Sequence, residues 1–101
     1  MSTVLLALVL AWLQPRYEAR VLTYGCNSTA EMRELRRLRS DARAFQQHLM
    51  RQMTYGQCIG IGKGTVVEGA VEAADHTVLR IEARQSPPGY MAPAEDFKRL
   101  D

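Results

Sequence analysis

The spacing of apolar positions changes three times along the chain. An unbroken apolar run from Val4 to Leu13 opens the sequence, and Pro15 and Arg16 end it. Apolar positions separated by three and four residues follow over residues 29–54, and alternation of apolar and polar residues follows over residues 65–84. These periods predict an apolar segment, an amphipathic helix and a β-hairpin, in that order.

The apolar run is too short for an ordinary membrane-spanning helix. As a helix, residues 1–14 would extend about 21 Å, whereas the hydrocarbon core of a bilayer is about 30 Å thick. The length suits the apolar region of a signal peptide, although no Lys or Arg precedes it and no small-x-small cleavage site follows it. We therefore assign residues 1–19 to an apolar leader and residues 20–101 to one small domain. The leader is a signal peptide, a retained membrane anchor acting through residues 1–14, or an ordinary core element.

The second pattern predicts one long helix over about residues 29–54. Ser28 and Glu31 have the spacing of a capping box, no Gly or Pro interrupts the following residues up to Met53, and Gly56 stands where a left-handed C-cap would be. The apolar positions that follow heptad spacing are Leu35, Leu38, Ala42, Phe45 and Leu49. This seam packs either on the protein's own sheet or against another chain.

The polar side of the predicted helix is rich in arginine. Its basic residues are Arg33, Arg36, Arg37, Arg39, Arg43 and Arg51, against the acids Glu31, Glu34 and Asp41. A basic amphipathic helix can bind anionic lipid or nucleic acid, but neighbouring acids also neutralise such a face in part. Nucleic acid is disfavoured, since no aromatic residues interleave with the arginines and the net charge is only +2.

The alternating pattern predicts a hairpin of residues 65–73 and 77–84, with position 73 opposite position 77. Val67, Val71, Leu79 and Ile81 then share one face of the sheet. A short strand over residues 57–61 precedes this hairpin, residues 90–93 continue extended, and residues 94–100 form a terminal helical turn. The expected fold class is α+β, with an apolar N-terminal leader helix and the helix 29–54 packed on an antiparallel sheet of two to three strands. The glycine-rich strand, the hairpin and the Gly89-Tyr90 return resemble SH3-like small barrels in strand count only.

The two cysteines, Cys26 and Cys58, flank the predicted helix and are a possible disulfide. A straight helix of that length spans about 37 Å, whereas a disulfide needs its Cα atoms within about 7 Å. Three possibilities follow. The helix breaks at Ser40-Asp41 and the bond lies within one chain, or the bond joins two chains, or there is no bond.

The residues carry no catalytic constellation. His48, His76 and the cysteines share no spacing that points to a metal or redox site, so we expect a protein that is not an enzyme and that needs no cofactor or metal. An exported protein of the periplasm, cell envelope or extracellular space is the expectation, with a membrane tether as the variant. It would act through a protein partner or self-association, and the candidate interaction residues are Leu35, Leu38, Phe45, Leu49, Tyr90 and Met91. The alternatives are a structural subunit of a membrane or virion-like assembly that retains its leader, and an anion binder that uses the arginine-rich helix.

Overall fold

A computed structural model describes residues 15–83 and 89–101 of the chain. The leader expected over residues 1–14 and the end of the hairpin at residues 84–88 lie outside the described residues. In chain order, the elements are β1 (Arg16–Ala19), β2 (Thr23–Cys26), α1 (Thr29–Leu38), α2 (Ala42–Thr54), β3 (Cys58–Ile61), β4 (Val66–Val71), β5 (Val78–Ile81), β6 (Tyr90–Pro93), a 3-10 turn (Ala94–Asp96) and β7 (Phe97–Arg99).

The described strands form one antiparallel sheet of seven, in the order β3-β2-β6-β5-β4-β1-β7. The prediction of two to three strands was therefore wrong, and residues 16–19 of the expected leader belong to the sheet. The missed strands β1, β2 and β7 have only three or four residues each, and β6 coincides with residues 90–93, which were expected to be extended. All four residues of β2 are buried, so that strand shows no alternation for a period-based prediction to detect.

The hairpin of β4 and β5 has the predicted register. Val71 lies opposite Leu79 and Gly69 opposite Ile81, which is the pairing that aligns position 73 with position 77. Leu79 and Ile81 are buried on one face, and on the other face Arg80 pairs with Glu72 at 2.6 Å. Alternation was informative here because the outer face of this hairpin is largely solvated.

The 3-10 turn of residues 94–96 precedes β7, where we had expected a helical turn over residues 94–100. Strand order describes the architecture and does not assign a function.

The single long helix predicted over residues 29–54 was wrong, because the chain turns between α1 and α2. The two ends are as expected: the Ser28 hydroxyl accepts from the Glu31 amide, and Gly56 has a φ of +73° after α2. Between the helices, the Asp41 carboxylate accepts from the Ala44 amide at 3.2 Å and so caps a new helix. The heptad seam was misleading because its two halves lie on two helices that pack on one core.

Two apolar clusters lie on opposite faces of the sheet. The inner core consists of Tyr17, Ala19, Ile61, Leu79, Ile81, Ala92 and Phe97. The helix-side core, beneath α1 and α2, consists of Tyr24, Cys26, Met32, Leu35, Cys58, Val78 and Met91. Neighbouring residues of β5, Val78 and Leu79, belong to different clusters, because successive strand residues point to opposite faces. The sheet is therefore covered on both sides where the helices lie over β2, β3 and β6, whereas the outer face of β4 is solvated.

A disulfide joins Cys26 and Cys58 within the helix-side core. The two residues lie directly opposite each other on β2 and β3, with their Cα atoms 4.0 Å apart. The break at Ser40-Asp41 with an intrachain bond is therefore the possibility that the structure realises. The helical hairpin returns the chain to its starting point, which a straight helix cannot do.

Replacing both cysteines with alanine is expected to lower the free energy of unfolding by about 3–4 kcal/mol, because the bond joins residues 32 positions apart and so constrains the unfolded chain. Urea denaturation of the two proteins measures the difference. Wild-type protein unfolded in dithiothreitol is the control and should show a similar loss. A loss below about 1 kcal/mol in both experiments would contradict the bond's structural role.

The turn between the helices predicts the sign of a second substitution. Asp41→Ala removes an N-cap and should lower the free energy of unfolding by about 1 kcal/mol. In one continuous helix, the same change would raise stability by some tenths of a kcal/mol, since alanine is the better interior residue. Ser28→Ala is the matched control, because Ser28 caps a helix in either architecture. Stabilisation by Asp41→Ala in urea denaturation would argue against the break.

Candidate functional site

The described part of the chain contains no cluster of three or more His, Cys, Asp or Glu side chains that could hold a metal ion. Over the same residues, no helix has both the length and the apolar character needed to cross a bilayer. The feature that stands out is a groove of about 530 Å³ beside α2. Its lining residues are Leu22, Thr23, Arg39, Ala42, Phe45, Gln46, Leu49, Met50, Met53 and Gly60.

One side of α2 forms the long wall of the groove. At about 100° per residue, Phe45, Leu49 and Met53 fall along one stripe of this helix. Phe45 and Leu49 are partly buried against the helix-side core. Met50 and Met53 remain 66% and 45% exposed, so the apolar side of α2 is only half covered. No residue of α2 is fully buried.

The opposite wall comes from a segment between two strands, and the floor comes from the sheet. Leu22, in the segment that joins β1 to β2, faces the groove and is 74% exposed. Gly60 of β3 lies in the floor, where an added Cβ would make ordinary van der Waals contact, at 3.7 Å, with the terminal methyl of Met53. A larger side chain at this position would extend into the groove beneath Met53.

A partly buried ion pair lies at the end of the groove where Arg39 precedes α2. Asp96, from the 3-10 turn, accepts a hydrogen bond from the Thr23 hydroxyl at 2.6 Å and one from the Arg39 guanidinium at 2.6 Å. The same guanidinium lies 5.5 Å from the centroid of the Tyr24 ring. Because Asp96 is itself buried, these contacts fix the turn between the helices relative to β2.

Tyr24 lies under this network with its side chain fully buried. Its ring packs edge-on against Phe45, with the centroids 5.4 Å apart. Its hydroxyl finds no hydrogen-bond partner among the described residues. Burial raises the pKa of the Tyr24 phenol to about 12, against the opposing effect of the Arg39 and Arg36 charges. The phenol therefore stays neutral over the physiological range.

Four of the helix arginines that formed the candidate anion-binding face are engaged in ion pairs. They are Arg33 with Asp75 at 2.8 Å, Arg36 with Glu95 at 2.5 Å, Arg37 with Glu34 at 2.6 Å, and Arg39 with Asp96 at 2.6 Å. The Arg33 guanidinium and the Thr77 hydroxyl and amide hold the pKa of Asp75 well below its usual range, with Thr77 the larger cause. Three of these contacts tie the helical region to the β4–β5 connection and the 3-10 turn, and the Arg37–Glu34 pair lies within α1. All four use charges that an anionic ligand would need.

The six candidate interaction residues lie in different places. Leu35 and Met91 belong to the helix-side core, where a partner cannot reach them. Phe45 and Leu49 line the groove. Leu38 is half-buried near the end of α1, and Tyr90 packs against the inner core.

Sequence reasoning missed Leu22, Met50 and Met53 as a group. Leu22 precedes a strand that carried no detectable pattern, and Met50 lies outside the heptad seam. Met53 was an apolar helix position, but nothing in the sequence indicated that Gly60 would leave space beneath it.

Comparison of the chain with known protein families, characterised proteins and solved structures finds no match. The function is therefore inferred from the groove and the residues around it.

Tyr24→Phe is expected to leave the free energy of unfolding unchanged at neutral pH or to raise it by up to about 1 kcal/mol, because it removes a buried hydroxyl that has no hydrogen-bond partner within residues 15–83 and 89–101. Above pH 10 the difference should grow in favour of the variant. The unfolded phenol ionises from about pH 10 and the folded one only at about 12, so wild-type stability falls as the pH rises through this interval. Urea denaturation between pH 7 and 11 measures both effects. A lower free energy of unfolding for the variant at neutral pH would indicate that the Tyr24 hydroxyl does make a hydrogen bond.

Proposed function

We propose that this chain is a non-enzymatic, exported binding protein that holds an apolar segment of another protein in the groove beside α2. The observation that carries the proposal is the set of exposed apolar side chains, Leu22, Met50 and Met53, which face one concavity. Contiguous apolar surface of this kind marks an interaction site more often than chance exposure does.

The residues that line the groove suit a partner that binds mainly through apolar contacts. Within the groove, the polar contribution comes from Thr23, Gln46 and Arg39, and two of these three side chains are engaged with Asp96. An apolar segment would cover Leu22 and Met50 and would remove their surface from water, which is favourable by about 25 cal/mol per Å². Methionine side chains adapt their shape, so Met50 and Met53 can fit partners of different outline.

The disulfide supports the exported part of the proposal. Bonds such as Cys26–Cys58 persist in oxidising compartments and are rare in the cytosol. Placement in the periplasm, the cell envelope or the extracellular space is compatible with this bond. Anion binding by α1 is the weaker alternative, because Arg33, Arg36 and Arg37 already have acidic partners.

A photo-crosslinking residue at position 50 tests the proposal, with the same residue at position 100 as the matched control. Leu100 is also an exposed apolar residue, but it lies next to the C-terminus, outside the groove lining. Irradiation of the protein in extracts of its native compartment should yield a discrete covalent product from position 50 and none from position 100. Adding Leu22→Ser should reduce that product about tenfold, since it removes apolar contact from the opposite wall.

Three results would contradict the proposal. One is the absence of any product from position 50, and another is equal products from both positions. The third is a product with the mass of two copies of the chain, which would indicate self-association in place of a heterologous partner. Unchanged circular dichroism of the Leu22→Ser protein confirms that the variant is folded, so that any loss of product reports on the groove.

A further inference from the structure

The groove is apolar, yet the chain from Arg39 through α2 and β3 to Lys63 carries more basic than acidic residues. From residue 39 to residue 64 the only carboxylate is Asp41, and Asp41 is occupied as the cap of α2. Basic residues without an ion pair among the described residues include Arg20, Arg43, Arg51 and Lys63. We infer that the segment held in the groove is an amphipathic helix with acidic residues beside its apolar face, an inference that rests on the proposed function.

Two of these cations, Arg43 and Arg51, belong to α2, which forms one wall of the groove, and Arg20 lies two residues from Leu22 on the other wall. Arg43 precedes Met50 by seven residues, which is two helical turns, so the two side chains leave α2 on nearly the same side. Next to Arg20, the Gly64 amide donates to the Ala19 carbonyl at 2.8 Å. That contact brings Lys63 close to the segment that carries Arg20. An occupant would therefore meet positive charge on both sides.

The length of the groove fits a helix. Its α2 wall extends from Ala42 to Met53, which is about 16 Å or three turns. A helix of three turns presents apolar residues at positions i, i+3 or i+4, and i+7 along one stripe, which is the pattern by which helices enter such grooves. Acidic residues on either side of that stripe would then lie near Arg43 on one wall and near the segment of Arg20 on the other. Complementary rim charges set orientation and the association rate more than they set affinity.

Two other occupants fit the structure less well. A second copy of this chain, related by a two-fold axis, would bring the same positive rims against each other and would be repelled. An anionic bilayer offers suitable charge, but a flat surface cannot enter a concavity bounded by α2 and Leu22. A helix can place side chains inside it. Both alternatives are outcomes of the experiment below.

A designed peptide about four helical turns long tests the inference. The probe carries Leu at positions i, i+3, i+4 and i+7 and Glu elsewhere. Its matched partners have Lys in place of Glu, or the same Leu and Glu in scrambled order. Fluorescence anisotropy with the full-length protein should show the Leu/Glu probe binding at least about tenfold more tightly than either partner. Added salt should reduce the difference, because the rim charges are exposed and screened.

Two charge reversals locate the binding surface. Arg43→Glu should weaken binding of the Leu/Glu probe about tenfold. Arg99→Glu, on β7 and outside the groove lining, changes the net charge equally and should leave binding within a factor of about two. Equal weakening by both variants, or equal binding of the Lys peptide, would overturn the inference.

The remaining outcomes separate this inference from the proposed function. If no peptide binds while position 50 still forms its crosslinked product, the acidic helix is wrong and the groove still holds an apolar partner. If both experiments fail, both proposals fall. Sedimentation with phosphatidylglycerol vesicles, but not with phosphatidylcholine vesicles, in the absence of peptide binding would assign the groove to a membrane surface and would overturn the inference.

Discussion

The pairing of Cys26 with Cys58 is the constraint on which the rest of the structure depends. The two residues face each other across β2 and β3, so the residues between them must leave the sheet and return to the same point. Two helices of ten and thirteen residues, joined by a short turn, satisfy this requirement. Because α2 leads directly into β3, it lies over the end of the sheet. Its apolar side is then only half covered, and the uncovered half forms the wall of the groove.

The turn between the helices is held in place by side-chain hydrogen bonds to a buried carboxylate. Arg39 reaches the buried Asp96, and Thr23 donates to the same carboxylate. Together they join the helical hairpin, the 3-10 turn and β2 in one network. The Tyr24 hydroxyl beneath it has no hydrogen-bond partner among the described residues. The network makes one end of the groove rigid, while the methionines along α2 leave the other part adaptable.

Local patterns predicted the parts of the fold that depend on local chemistry. Alternation predicted the register of the β4–β5 hairpin, Ser28 and Gly56 marked where the helical region begins and ends, and distance arithmetic showed that a continuous helix excludes an intrachain bond. Strands β1, β2 and β7 could not be predicted, because β2 is buried at every residue and β1 and β7 have only four and three residues, whereas β5 lies within the longer alternating stretch of residues 77–84. The groove was missed for a related reason. It exists only where Leu22, Met50 and Gly60 meet in space, and no spacing in the sequence links them.

The central claim is that one chain folds back on itself so that Cys26 meets Cys58. Mass spectrometry under non-reducing conditions, followed by peptide mapping, tests it most directly. We expect the mass of a single chain less two hydrogens, and one disulfide-linked pair of peptides that contain these two residues. Two free thiols, or a covalent dimer that reduction separates, would contradict the account. The helical hairpin, the half-covered side of α2 and the groove would then all lose their structural basis.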